Sequence, residues 1–160
     1  MKKPLFLVVF ATLFYSGCAF RLTKATDDRK SERLATEEGR LSVATDPVAR
    51  LRSYLIVSET LLDFASESVR DGHGEHLLPF LKQYTNALEG ARETLVTADT
   101  NPRRFLPVYK DLEIALRKQM QLLGDIAAGL TIDERPPVDT ALQTAKALRE
   151  DLLRRLFPSG

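Results

Sequence analysis

One cysteine, Cys18, and two histidines, His73 and His76, are all that this 160-residue chain offers of the side chains most used in metal binding and nucleophilic catalysis. A lone cysteine forms no internal disulfide. Covalent haem attachment needs Cys-x-x-Cys-His, which the chain cannot supply. Both histidines fall in one stretch, Asp71-Gly72-His73-Gly74-Glu75-His76. A serine nucleophile elsewhere would therefore lack a separately placed imidazole base. Glycine forms no phosphate-cradling loop, since Gly90, Gly124 and Gly129 stand isolated. An excess of one charge is lacking too: 23 Lys and Arg face 22 Asp and Glu. Such a balance leaves no electrostatic footprint for nucleic acid and no strong field for steering an ionic substrate. The expectation is a non-enzymatic protein without a cofactor or a nucleic-acid partner.

Long apolar runs are scarce. The main one, Leu5 to Tyr15, is eleven residues and follows Lys2 and Lys3. As a helix it would cover about 16 Å, roughly half of a hydrocarbon core of ~30 Å. It is too short for a stable membrane span and suits the apolar core of an export signal, with the lysines as its positive front.

The run Leu13-Phe14-Tyr15-Ser16-Gly17-Cys18 resembles the end of a bacterial lipoprotein signal peptide. Ser16, Gly17 and Cys18 match that pattern, whereas Tyr15 takes the place usually held by an aliphatic residue. The resemblance covers residues 1–18 alone. It implies cleavage before Cys18, a diacylglyceryl thioether on its sulfur and a fatty acyl chain, such as palmitate, on its amine. Two or more chains make a stable anchor, at about 0.8 kcal/mol per buried methylene. It also implies the cell envelope, on the periplasmic face. Ala19, standing where inner-membrane retention uses Asp, favours the outer membrane over the inner. The alternative is an ordinary secretory signal cut after Ala19, which would yield a secreted or periplasmic soluble protein.

Removing residues 1–17 leaves 21 basic and 22 acidic side chains on 143 residues, enough for one domain and a tail. Residues 18–45 are crowded with alternating charges and read as the lipidated cysteine and a polar tether, with partial helicity around Asp28 to Leu41. Residues 46–160 read as the folded domain. Asp46-Pro47 is a helix start, an N-cap residue followed by proline at the first position. Four stripes of period three and four follow. The first runs Leu51, Leu55, Ser58, Leu62, Ala65, Val69 and stops at Asp71–Gly74. The second, from about Glu75 to Val96, runs Leu77, Leu81, Tyr84, Leu88, Ala91, Leu95. The third starts near Leu106-Pro107 and runs Tyr109, Leu112, Leu116, Gln119, Leu123, Ile126, Leu130. The fourth, about Pro136 to Leu156, runs Val138, Leu142, Ala145, Leu148, Leu152, Leu156. The predicted fold is all-α: an antiparallel up-down four-helix bundle, successive helices neighbouring one another.

Three constellations stand out. Asp71, His73, Glu75 and His76 hold ligand types for zinc or copper; the plainer account is a helix stop and restart. Ser58, Tyr84 and Gln119 interrupt apolar stripes near mid-helix, predicting a hydrogen-bonded buried layer that sets helix register, or a small ligand pocket at that level. Carboxylates at helical spacing, Glu59 with Asp63 and Glu89 with Glu93, lie beside the core face; Glu89 is expected to pair with Arg92. The spacing Glu59-Thr60-Leu61-Leu62-Asp63 is similar to that in metal-binding phosphate-regulatory bundle proteins. The function expected is a membrane-anchored envelope lipoprotein that binds another envelope protein through its bundle. The alternative is a periplasmic small-ligand or metal-sensing bundle.

Overall fold

A computed structural model of the chain describes residues 16–98 and 102–157, with side chains for 27–98 and 104–157. Residues 1–15 of the expected signal peptide lie outside that range. The described residues form five α-helices and no strand: α1 (Ser16–Val43), α2 (Pro47–Arg70), α3 (Leu77–Thr97), α4 (Pro102–Ala128) and α5 (Pro136–Leu156). Among them, no helix is long and apolar enough to cross a membrane.

The helix ends follow local chemistry. Asp46 caps α2, its carboxylate accepting from the Ala49 amide at 3.2 Å, and Pro47 takes the first turn. At the other end Gly72 adopts φ 78°, and the chain reverses through bonds from Gly72 N to Val69 O and from His73 N to Ser68 O. Only glycine takes that left-handed geometry without a side-chain penalty. A single 3-10 turn, Gly74–His76, leads into α3. A second, Ile132–Glu134, precedes α5, where the Glu134 carboxylate accepts from the backbone and hydroxyl of Thr131.

Helix α4 begins at Pro102, a turn before the Leu106-Pro107 start read from sequence, and keeps Pro107 inside it. Proline there removes one backbone donor. Continuing the helix through Pro107 buries Phe105 and Val108 on either side of it and sets the Phe105 ring 5.5 Å from that of Tyr109. Burying those two side chains opposes the loss of one hydrogen bond.

The core is built from the four predicted stripes. Twenty-one of their twenty-five residues are buried; Leu55, Val69, Leu142 and Leu156 are partly so and pack against the rest. Helices α2, α3, α5 and α4 make a closed ring in that order: α2 packs on α3, α3 on α5, α5 on α4, and α4 on α2. Among the described residues α3 and α4 share no packed face. This corrects the expectation that all successive helices are neighbours: α3 and α4 are consecutive in the chain but diagonal in the ring. Arg104 at the start of α4 bonds Asp46 at the start of α2, and Arg92 of α3 bonds Asp151 of α5.

Residues 18–45, expected to be a polar tether with partial helicity around Asp28 to Leu41, are helical through to Val43. Among the described residues helix α1 packs on α2 alone. Lys30, Leu34, Glu37 and Leu41, spaced by four and three, face it. Leu34 and Leu41 pack against the core, Lys30 bonds Glu67, and Glu37 is only 5% exposed. Ser53 donates to Glu37 Oε2 at 2.8 Å and Arg40 to Oε1 at 2.6 Å, so the buried carboxylate is both hydrogen-bonded and charge-paired. A buried charge is tolerated only on those terms. Arg50 secures the end of α1. Its guanidinium donates to the carbonyls of Leu41 and Ala44, both at 3.3 Å, and to the Tyr54 hydroxyl at 3.1 Å.

Candidate functional site

Ser58, Tyr84 and Gln119 come from three helices and meet at one level of the bundle. The Tyr84 hydroxyl donates to Gln119 Oε1 at 3.1 Å, and Gln119 Nε2 donates to Ser58 Oγ at 3.0 Å. Ser58 in turn donates to the backbone carbonyl of Leu55 at 2.9 Å. Tyr84 and Ser58 are fully buried and Gln119 is 4% exposed. Each stands at a stripe position, and the stripes bring them inward together. Burial pushes the Tyr84 phenol far above its ordinary value, so it stays protonated and can donate. The chain of donors runs one way, from α3 through α4 to α2, ending on a carbonyl. Shifting any of these helices by one turn would leave a buried donor or acceptor without a partner.

A pocket of about 220 Å3 opens beside this layer, on the face where α1 and α4 flank α2. Gln119 forms part of its lining. Glu59 and Asp63, one turn apart on α2, supply two carboxylates; Arg33 of α1 and Lys118 of α4 supply two cations. Among the described residues none of these four forms a direct ion pair. Desolvation raises the Glu59 carboxyl above its usual value, and Asp63 adds to the effect while Arg33 and Lys118 oppose it. Sequence reasoning placed Glu59 and Asp63 beside the core face but did not join them to Arg33 or Lys118.

Asp71, His73, Glu75 and His76 are exposed at the α2–α3 connection. Glu75 is the centre of what order there is: His73 Nδ1 lies 3.4 Å and His76 Nε2 3.7 Å from its Oε1. Its own backbone amide is the largest influence lowering the Glu75 carboxyl, the two imidazoles adding to it. Asp71 turns away, toward Arg70 at 3.4 Å. Among the described residues no group of three or more His, Cys, Asp or Glu is arranged to hold a metal ion.

A second concavity, about 430 Å3, lies between α4 and α5. Leu106, Lys110, Glu113, Ile114 and Arg117 recur on one face of α4 and line it with Leu153, Leu156 and Phe157 of the α5 end. Leu106 is 40%, Ile114 44% and Phe157 72% exposed. At its edge Glu113 accepts from both Arg117 and Arg149 at 3.0 Å.

Several basic side chains are tied down. Arg104 bonds Asp46, Arg117 bonds Glu113, Arg154 bonds Asp151, and Arg155 reaches the Val96 carbonyl. Arg92 does not pair with Glu89, its expected partner a turn away, but with Asp151 across the α3–α5 contact. Asp151 is 16% exposed and already faces Arg154, so a fixed, partly desolvated carboxylate wins over a solvated one.

Cys18 falls in the first turn of α1. Its side chain, and so the lipidation expected there, lies outside the described side chains. No family model matches the chain, and no curated protein and no solved structure matches it.

Proposed function

We propose that the chain is a lipid-anchored protein of the bacterial envelope, acylated at Cys18, whose helical domain binds another envelope protein without catalysing a reaction. The observation that carries the binding role is the α4–α5 groove. Leu106, Ile114 and Phe157 expose large apolar surface around one concavity, with Lys110 beside it. Exposed apolar surface gathered around a groove is what an amphipathic helix docks into. The partner segment would carry an apolar stripe and an acidic residue opposite Lys110. In this proposal α2 to α5 run up-down-up-down, with α2 beside α4 and α3 beside α5 as parallel pairs. The ring leaves the outer face of α4 and α5 open, away from α1 and the anchor. The site of action is the periplasmic face of the envelope, the outer membrane in preference to the inner.

Two measurements test this. The mature protein from its native host should carry acyl chains by intact mass, and Cys18→Ser should remove them. A photo-crosslinker at Lys110 should trap the same envelope partner in the intact and Cys18→Ser chains. Ile114→Glu should abolish that trapping while leaving the melting curve in place. Trapping that survives Ile114→Glu would remove the groove from consideration.

A second proposal, a small-ligand bundle, is favoured by one observation: the 220 Å3 pocket beside the Ser58–Tyr84–Gln119 layer, with four charged side chains around it that form no ion pair among the described residues.

A further inference from the structure

We propose that the pocket over α2 is a binding site for a small zwitterion carrying one ammonium and one carboxylate, the chemistry of a free amino acid. This rests on the small-ligand proposal above and names its ligand class.

Four observations meet here. First, the pocket's charges are balanced but not joined. Glu59 and Asp63 stand on the middle element, α2, while Arg33 on α1 and Lys118 on α4 stand on either side. Several other oppositely charged groups a turn apart do pair directly, as Arg40 does with Glu37, Arg117 with Glu113 and Arg154 with Asp151. Second, the arrangement separates the signs. A ligand ammonium would sit over the carboxylates of α2, and its carboxylate would reach a flanking cation. A single ion would leave the opposite charges of the pocket uncompensated, whereas a zwitterion adds no net charge.

Third, a buried polar side chain lines the pocket. Gln119 is 4% exposed, and Nε2 spends one hydrogen on Ser58. An amide nitrogen has two. The second hydrogen has no partner among the described residues, and Gln119 lies in the pocket wall. It is placed to donate to a ligand carboxylate, and it would link the ligand to the polar layer. Fourth, size selects the class. At about 220 Å3 the pocket is smaller than the ~300–1,000 Å3 that drug-sized ligands occupy. Leu122 gives it a short apolar wall, enough for a few methylenes.

The position has a mechanical consequence. Among the described residues helix α1 packs on α2 and shares no packed face with α4. A ligand held by Arg33 and Lys118 together would bridge α1 to α4 and stiffen the helix that carries Cys18.

The test uses the full chain in detergent, titrated separately with glycine, β-alanine and γ-aminobutyrate, and with propylammonium and propionate as singly charged controls. Thermal midpoint and the Gln119 side-chain amide resonances are followed. The expected result is a saturable rise in midpoint and a shift of the Gln119 amide for at least one zwitterion, with neither control matching it. Glu59→Gln and Lys118→Gln should each weaken binding at least tenfold while keeping wild-type helicity. Arg33→Gln, on the more exposed α1, gives the same test with less risk to folding. A response to propylammonium or propionate equal to that of the zwitterions overturns the zwitterion assignment and leaves a small-ligand site. Silence from all five compounds overturns both.

Discussion

Ser53 on α2 donates its hydroxyl to Glu37 on α1 at 2.8 Å, inside a contact where Glu37 is almost wholly buried. This bond joins the two helices between Leu34 and Leu41, which pack against the core on either side of it. Glu37→Ala would leave Ser53 without its acceptor and Arg40 without its anion. The expected cost is about 1–3 kcal/mol, the penalty for unsatisfied buried polar groups. Because α1 packs on α2 alone, the loss should be local. Hydrogen exchange should quicken through residues 30–43 and stay unchanged in α3 and α5. Uniform acceleration across all helices would show that α1 belongs to the same cooperative unit as the bundle.

Gly90 lies under the ring of Tyr54. A Cβ at that position would come within 2.5 Å of the Tyr54 ring carbon Cζ and of its hydroxyl. Gly→Ala inside a helix normally stabilises, by about 1 kcal/mol. Here it should destabilise by about 1–2 kcal/mol, in the range of overpacking, because Tyr54 must swing out and give up its bond to Arg50. In a Tyr54→Ala background the same Gly90→Ala change should stabilise. Chemical denaturation of the four proteins in that cycle measures the reversal of sign, and equal effects in both backgrounds would dismiss the contact.

The polar layer predicts asymmetry between partial and complete removal. Tyr84→Phe leaves Gln119 Oε1 buried without a donor and should cost about 1–3 kcal/mol. Replacing the set together, by Ser58→Ala, Tyr84→Phe and Gln119→Leu, removes every orphaned group and should cost less than the single change. If the triple variant is instead the sum of three large losses, the layer contributes net stability rather than register.

Glu59 titrates against the stability of the fold. Its carboxyl is raised, first by desolvation and then by Asp63, with Arg33 and Lys118 opposing. An acid whose folded value exceeds its unfolded one favours the folded state when protonated. That contribution is complete below the ordinary value of 4.5 and is lost as pH rises through the folded value. Glu59→Gln, which mimics the protonated acid, should therefore melt higher than the parent at pH 7 and level with it near pH 3. A midpoint gap that stays constant across pH would mean that the carboxylate is not desolvated. A charged side chain that costs stability at neutral pH is what a binding site retains.

Most of the bundle was legible in the sequence, because its signal is local. The α2 start at Asp46-Pro47 and the stop at Gly72 are set by capping and by glycine's tolerance of positive φ. The α5 limits, Pro136–Leu156, follow from a proline start and an apolar stripe. Ser58, Tyr84 and Gln119 could be singled out as polar residues at core positions, and their meeting followed from mid-helix placement. The start of α4 was less legible, since Pro107 marks a break by its own chemistry and only the burial of Phe105 and Val108 overrides it.

What the tertiary structure alone decided is which faces meet. Helix α1 has a stripe, but two of its four members, Lys30 and Glu37, are charged, so it reads as solvated until Glu67, Ser53 and Arg40 answer them. The diagonal placement of α3 and α4 is likewise absent from any single stripe, because a helix core face is wide enough to serve either ring order. That order sets α4 beside α2 and so brings Lys118 to Glu59 and Asp63, while α1 brings Arg33. Sequence by itself determined the helices, their inward faces and the Cys18 motif, all encoded over one or two turns. Three-dimensional packing decided the ring, the docked fifth helix and the charged pocket, whose lining runs from Arg33 to Leu122.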